Sequence, residues 1–203
     1  MPRAVEATLA CLGLAVASPI LLLAAAAFPR PVLFRQQRVG LNGRPFTLLK
    51  LRTMRVAWGD TPEGSQLTAA GDARITPAGR WLRRFKLDEI PQLWNVVRGD
   101  MSLVGPRPEV PRYVDDSPLW LRVLSARPGL TDPVTLRLRD EEALLAGVDD
   151  PESFYRERLL PWKLRGYADY LEHRSWATDL GVLGATALAV LRLRRTTLPE
   201  IEG

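Results

Sequence analysis

The sequence predicts a mainly helical α+β fold with one small β-hairpin and an apolar segment at the N terminus. Three observations support this prediction. Residues 7–28 contain no charged side chain, two β-like runs flank an Asn-Gly pair, and most of the remaining chain carries helix start and stop signals. A chain of 203 residues is long enough for one domain with a buried core. We therefore expect a membrane segment in residues 1–29 and one folded domain in residues 30–203.

The apolar segment, Ala7–Phe28, is 22 residues long. A straight helix of this length reaches about 33 Å, enough to cross a bilayer core of roughly 30 Å. Three interpretations remain open from the residues alone: a cleaved signal peptide, a spanning helix with a basic cytoplasmic flank, and a re-entrant hairpin that breaks at Ser18-Pro19. Proline removes one backbone hydrogen bond, and Ser18 offers a side-chain donor to the carbonyl that is freed.

The next elements are a hairpin and a long loop. The runs Val32–Val39 and Phe46–Leu51 are β-like, and Asn42-Gly43 between them is typical of a hairpin turn. Residues 54–71 are polar and rich in Gly, which predicts a loop.

Two helices are predicted after the loop. Thr76 is a good N-cap for a helix that begins at Pro77. Asp88 is expected to cap a second helix, Glu89–Val97, which Gly99 closes.

In the rest of the chain, Gly105–Pro108 must be extended or turning, and Pro128-Gly129 breaks the chain again. Helices are expected over Glu109–Ser125, Glu141–Ala146 and Pro151–His173. The apolar stretch Leu180–Leu191 is too short to span a bilayer, but it can lie in the membrane interface.

Charge and composition limit the function. The net charge is +5, and residues 30–107 hold 14 basic against 6 acidic side chains, which favours an anionic partner. Cys11 is the only cysteine and His173 the only histidine, so Ser-His-Asp, Cys-His and zinc chemistry are disfavoured. Catalysis must then rest on carboxylates, Arg, Lys or a hard metal ion.

The adjacent acids Asp88 and Glu89 have two interpretations. They can cap a helix N terminus, or they can form a reactive site, because Arg83 and Lys86 precede them and Arg107 follows. Arginine binds phosphate through paired donors, and an ionised carboxylate needs no general base to attack phosphorus. A second carboxylate can help to hold Mg²⁺, so the pattern fits phosphoryl chemistry on a diphosphate.

The run Leu87–Pro108 (LDEIPQLWNVVRGDMSLVGPRP) closely resembles the signature of the bacterial sugar transferase family, the monotopic polyprenol-phosphate phosphoglycosyl transferases. The resemblance extends to Phe34–Gly40, Lys50–Met54 and Arg127–Thr131. Unlike a lone Asp-Glu pair, a match over 22 consecutive residues is specific.

The resemblance implies a reaction and its residues. Asp88 matches the nucleophile that takes a sugar phosphate from a nucleoside diphosphate sugar, with UDP expected as the nucleotide, before a polyprenol phosphate accepts it. Glu89 matches the partner acid, and both acids are linked to Mg²⁺. Arg83 and Arg107 match phosphate-binding arginines. Ser18-Pro19 matches the break of a re-entrant membrane helix, which favours that interpretation over the other two.

The resemblance also implies a setting: the cytoplasmic face of a bacterial inner membrane, with the bilayer as a partner and no nucleic acid. Residues 132–142 depart from the commonest family pattern, in which contacts to the sugar and the nucleotide are expected. We therefore do not predict which residues of this stretch make those contacts. The alternative is a membrane-anchored basic protein without catalysis that binds nucleic acid or anionic lipid. It gives no reason for an acidic pair inside the basic segment.

Overall fold

The computed structural model describes residues 1–27, 30–55, 67–68, 71–138 and 141–191. Within these ranges the chain is mainly helical with two small sheets, as predicted. Most of the predicted loop, residues 56–66 and 69–70, lies outside the described residues.

The first helix, α1, covers Arg3–Ala27 and continues through Pro19. Pro19 has no N–H to donate to the carbonyl of Ala15, and the Ser18 hydroxyl donates to that oxygen instead at 2.8 Å. This confirms the predicted role of Ser18. The helix continues through Ser18-Pro19 as one element, because the lost bond is replaced locally. The re-entrant path through a membrane stays a prediction.

By length and composition, α1 can cross a bilayer. It also lies along the folded domain. Near its start Ala10 is buried in a cluster with Val96 and Met101, and near its end Ala24 is buried with Leu51 and Leu82. One face of α1 is therefore shared with the domain along much of the helix.

The predicted hairpin is confirmed. Strands β1 (Leu33–Val39) and β2 (Pro45–Leu51) pair antiparallel, with Leu33 opposite Leu51 and Val39 opposite Pro45. In the connection, Asn42 and Gly43 both have positive φ, at 54° and 74°. Asparagine and glycine adopt this conformation more easily than other residues, which explains the turn.

Helix α2 covers Pro77–Arg84 and begins as predicted, with the Gly79 N–H donating to the Thr76 hydroxyl at 2.9 Å. Helix α3 covers Gln92–Arg98 and ends at Gly99 in the left-handed conformation, which confirms the predicted stop.

The predicted capping role of Asp88 is wrong. Lys86 takes a left-handed conformation after α2, and Leu87–Glu89 form a 3₁₀ turn. Helix α3 begins only at Gln92, after Pro91, and no side chain caps it. The carboxylate of Asp88 is therefore not used at a helix end.

A second sheet holds the segment that carries Arg107. Strands β3 (Ser102–Val104) and β4 (Gly129–Thr131) pair in parallel. A side chain on Gly129 would collide with the backbone of Gly105. The two backbone segments therefore approach this closely only because both residues are glycine. The chain is then non-helical through Val110, as predicted for Gly105–Pro108.

The predicted helix over Glu109–Ser125 is only partly correct. Pro111–Tyr113 form a 3₁₀ turn, and helix α4 covers Pro118–Leu124. Pro111 and Pro118 each disfavour helix in the residue before them, which separates the two elements.

Helix α5 (Pro133–Arg137) was not predicted. The predicted helices over residues 141–146 and 151–173 are confirmed as α6 (Glu141–Ala146) and as the succession of α7 (Pro151–Phe154), a π-helical turn (Tyr155–Leu159) and α8 (Leu160–Glu172). The last described helix, α9 (Trp176–Val190), begins four residues earlier than the predicted apolar stretch, where Ser175 caps it. Its Val182 packs in the cluster that contains Ala10 and Met101.

Candidate active site

Asp88 and Glu89, called the dyad below, line a polar cavity of about 490 Å³. Lys50 of β2, Arg83 of α2 and Arg107 of the segment after β3 line the same cavity. The structure therefore brings the four predicted site residues together. Ser18 and Pro19 lie in α1 and do not line it.

Glu89 is held by two cations. Its Oε1 accepts from Arg107 Nη2 at 2.7 Å and from Lys50 Nζ at 3.2 Å. Burial opposes its ionisation, but Arg107 and Lys50 outweigh that effect and hold the pKa of Glu89 well below its usual range. In turn, Glu89 raises the pKa of Arg107. Glu89 is therefore a fixed negative charge that anchors two positive ones.

Asp88 differs from Glu89 in its bonding, although the two residues are adjacent in the sequence. It is buried, and its Oδ1 makes no hydrogen bond within the part of the chain that the structure describes. Burial and the charge of Glu89 raise the pKa of Asp88, and the cations Lys50, Lys86 and Arg83 only partly offset this rise. A buried, unpartnered carboxylate oxygen is costly, so it is more consistent with a reactive group than with a structural one.

Arg83 is positioned by two side chains from distant parts of the sequence. Its Nε donates to Thr53 Oγ1 at 2.9 Å, and its Nη1 donates to Glu142 Oε1 at 2.6 Å. The side chain is thus fixed at the cavity wall, where an arginine can meet a phosphate. That role remains a prediction.

Sequence reasoning missed the role of Lys50. It was recognised inside a motif, but no contact was assigned to it. The available signal was a charged residue within the apolar run of β2. Burial lowers the pKa of Lys50, while Glu89 opposes this change.

A second group of side chains in the same cavity, arranged around the buried acid Glu109, was also missed. We call Glu109, Arg38, Tyr155 and Lys163 the Glu109 cluster. The Tyr155 hydroxyl donates to Glu109 Oε1, Lys163 lies 3.6 Å from that oxygen, and Arg38 lies 3.6 Å from Oε2. Tyr155 begins the π-helical turn, a kind of irregularity that is often found near functional sites.

The carboxylates of the dyad fit a Mg²⁺ ion that takes few ligands from the protein. Among the described residues, no group of three or more acidic, His or Cys side chains is arranged so that it could hold a metal ion. Magnesium, however, commonly uses only one or two carboxylates and completes its shell with water and substrate phosphates. The unpartnered Oδ1 of Asp88 and the adjacent Glu89 carboxylate match that requirement.

Comparison with known proteins now identifies the family. The model of the family described as bacterial sugar transferase matches residues 1–193. The chain belongs to this family. This match confirms two predictions: that the chain is a bacterial sugar transferase by family, and that it is an enzyme.

Relatives with assigned names fall in the same group. A UDP-glucose:undecaprenyl-phosphate glucose-1-phosphate transferase of Caulobacter vibrioides is 40% identical over an alignment of 197 positions that covers 93% of this chain and 69% of the relative. An undecaprenyl-phosphate glucose phosphotransferase of Komagataeibacter xylinus is 46% identical over 114 residues, 54% of this chain and 21% of the relative.

A third relative carries a different sugar in its name. A UDP-N-acetylgalactosamine-undecaprenyl-phosphate N-acetylgalactosaminephosphotransferase of Aeromonas hydrophila is 36% identical over 137 residues, 64% of this chain and 32% of the relative. This chain therefore spans only part of several relatives. Glucose and N-acetylgalactosamine enzymes are both similar to it, so similarity does not select the sugar.

Proposed function

We propose that the protein transfers a sugar phosphate from a UDP-sugar to a polyprenol phosphate through a covalent intermediate on Asp88. The observation that carries this proposal is the unpartnered Oδ1 of Asp88, which lines one polar cavity with Lys50, Arg83 and Arg107. The names of the relatives supply the donor and acceptor classes.

In the first step, an oxygen of the Asp88 carboxylate attacks the phosphorus that bears the sugar. The bond from that phosphorus to the bridging oxygen breaks, and UMP leaves with this oxygen and its electron pair. An acyl phosphate links Asp88 to the sugar phosphate.

In the second step, a phosphate oxygen of the polyprenol phosphate attacks the same phosphorus. The bond to Asp88 breaks, the carboxylate is regenerated, and a polyprenyl diphosphate sugar is released. Both nucleophiles react as anions, so neither step needs a proton. This agrees with a cavity whose described lining residues include no histidine.

The cations around the dyad stabilise the negative charge of the diphosphate. Arg107 and Lys50 are already placed by Glu89, so they meet the diphosphate without being ordered again. Glu89 stays ionised throughout and acts as a positioning residue for both cations. Arg83 supplies a further donor from α2.

We also propose that Asp88 and Glu89 hold Mg²⁺ together with the diphosphate oxygens. When bound, the ion shields the negative charge of the phosphates from the incoming carboxylate and favours the ionised form of Asp88. This second effect opposes the burial that raises the pKa of Asp88.

The proposed location is the cytoplasmic face of a bacterial inner membrane, with α1 re-entrant. Support comes from the face that α1 shares with the domain, from Ala10 to Ala24. A straight span would carry the domain residues packed against it, Leu51 and Leu82, into the bilayer with it.

The test is UMP release by purified protein in nanodiscs that contain undecaprenyl phosphate and Mg²⁺, with a panel of UDP-sugars as donors. We expect UMP with at least one donor, and loss of UMP with Asp88→Asn or with EDTA. Folded wild-type protein that releases no UMP from any donor would contradict the proposal.

A further inference from the structure

A second cavity adjoins the polar one. It is an apolar groove of about 380 Å³ between the segment Phe85–Leu93, strand β4, helix α5 and helix α9. Its apolar lining includes Leu87, Ile90, Leu93, Leu136, Leu183 and Val190. The proposed chemistry on Asp88 uses none of these side chains.

The apolar groove and the polar cavity share a charged boundary. Lys86, Glu89, Arg107 and Thr135 line both spaces, whereas Asp88 lines the polar cavity. A phosphate at Lys86 and Arg107 can therefore have its polar side towards Asp88 and an apolar substituent in the groove. A ligand that is anionic at one end and apolar beyond it matches this charge distribution.

Helix α9 connects the groove to an apolar surface. Ala187 and Val190 line the groove, and Leu180, Leu188 and Leu191 on the same helix segment are exposed. Thr186 and Thr131 form a hydroxyl–hydroxyl hydrogen bond of 2.7 Å, which fixes α9 against β4 at this place. A long apolar chain that leaves the groove beside α9 can therefore contact exposed leucines on the same helix.

We propose that the apolar groove is the acceptor site: it binds the first isoprene units of the polyprenol phosphate, and Lys86 and Arg107 bind its phosphate. The proposal rests on the proposed function. It gives the two substrates separate entrances to one phosphorus, with the nucleotide sugar in the polar cavity and the lipid in the groove. In-line displacement from Asp88 requires the acceptor oxygen to take the position that the UMP oxygen has left, so the lipid phosphate must reach that position from the boundary that the groove and the cavity share.

Separate half-reactions test this arrangement. The donor half-reaction is measured without acceptor, as exchange of labelled UMP into a UDP-sugar that the wild-type enzyme uses. The complete reaction is measured against the concentration of polyprenol phosphate. Ala187→Phe fills the groove, and Ala177→Phe adds the same bulk to an exposed position of α9 that does not line it.

We expect Ala187→Phe to keep the UMP exchange rate within twofold and to raise the KM for polyprenol phosphate at least tenfold, while Ala177→Phe changes neither. Val190→Trp, about one helical turn further along the groove lining on α9, should behave like Ala187→Phe. Unchanged acceptor kinetics in both groove variants would overturn the proposal. Loss of UMP exchange in both would also overturn it, because the groove would then serve the donor or the core.

A direct binding measurement separates this proposal from the function it rests on. The probe is a short polyprenyl phosphate with a photoreactive group in its second isoprene unit. Labelling should fall on the groove side of α9, at Leu183, Ala187 or Val190, and unlabelled polyprenyl phosphate should compete while polyprenol should not. Labelling confined to the exposed Leu180, Leu188 and Leu191, or elsewhere, would overturn the acceptor site. This result is readable even if the wild-type protein releases no UMP, which would contradict the function alone.

Discussion

The dyad and the Glu109 cluster lie in the lining of one cavity, and both are built on buried acids, but their bonding differs. Both carboxylate oxygens of Glu109 have partners: Tyr155 and Lys163 at one, Arg38 and the Val110 N–H at the other. In the dyad, Glu89 is paired, and Asp88 keeps one oxygen without a partner among the described residues. Burial alone therefore does not distinguish the two groups of acids. Glu6 in α1 also has a buried oxygen without a partner among the described residues, but it does not line the cavity. The unpartnered oxygen of Asp88 is distinguished by its place in the cavity beside Lys50, Arg83 and Arg107.

The largest expected effect is on activity, in Asp88→Asn. Removal of a covalent nucleophile should lower turnover at least about 10⁴-fold, which corresponds to ~5.5 kcal/mol of barrier. The pKa of Asp88 is raised in the folded protein, so its ionised form at neutral pH disfavours folding. Asn removes that charge, and the melting temperature should be equal or higher. Activity near that of the wild type, or a clearly lower melting temperature, would show that Asp88 has a structural role, as Glu109 does.

Glu109→Gln should show the opposite pattern. It leaves Arg38 and Lys163 near a neutral group, and breaking a buried ion pair in this way costs about 3 kcal/mol of folding free energy. Thermal unfolding in the same detergent measures the loss. Turnover of the fraction that remains folded should fall less than tenfold. A stable but inactive Glu109→Gln protein would show that the two groups of acids do not differ in the way proposed.

Arg107→Ala is expected to have a smaller effect than loss of the nucleophile. It removes one pre-positioned phosphate donor, which should lower kcat/KM by about 10²-fold. Arg107→Lys keeps the charge but loses the paired donors, so it should recover only part of the activity. Arg98→Ala, an exposed arginine paired with Asp100, is the matched control and should leave kcat/KM within twofold. Equal losses in Arg107→Ala and Arg98→Ala would contradict a specific role.

The smallest expected effect is a change in pH dependence. Activity requires ionised Asp88, so it should fall as the pH drops through the raised pKa of this group. Lys50 lowers that pKa, and Lys50→Met should therefore move the acidic limb of the kcat profile to higher pH. Arg98→Met is the control and should leave the limb in place. A limb that moves to lower pH in Lys50→Met would mean that another group controls it.

The parts of the fold that sequence predicted well depend on a few neighbouring residues. Asn42-Gly43 sets the hairpin, Thr76 starts α2, and Gly99 ends α3, each through its own backbone preference. Ser18 restores the bond lost at Pro19 from one residue away. Such effects are local, so a single sequence contains them.

The prediction was wrong where a distant or unusual conformation decides the outcome. Asp88 was expected to cap a helix, but Lys86 in a left-handed conformation redirects the chain before α3 begins. The partners of Glu89 are 39 and 18 residues away, and the bond from Tyr155 to Glu109 joins residues 46 apart. No periodicity or spacing indicates which distant cation meets which acid. The family resemblance implied different roles for the two acids of the dyad, and the fold adds the difference in their bonding, which the sequence does not contain.

The central claim is that Asp88 carries the sugar phosphate, and mass spectrometry of the quenched enzyme tests it most directly. Wild-type protein is mixed with a UDP-sugar that it uses and with Mg²⁺ in the absence of polyprenol phosphate, then quenched and digested. We predict a sugar-phosphate adduct on the peptide that contains Asp88, one UMP released per adduct, and loss of the adduct when polyprenol phosphate is added before the quench. UMP formed only in the presence of polyprenol phosphate, with no adduct at any time, would contradict the claim and indicate direct transfer between the two substrates.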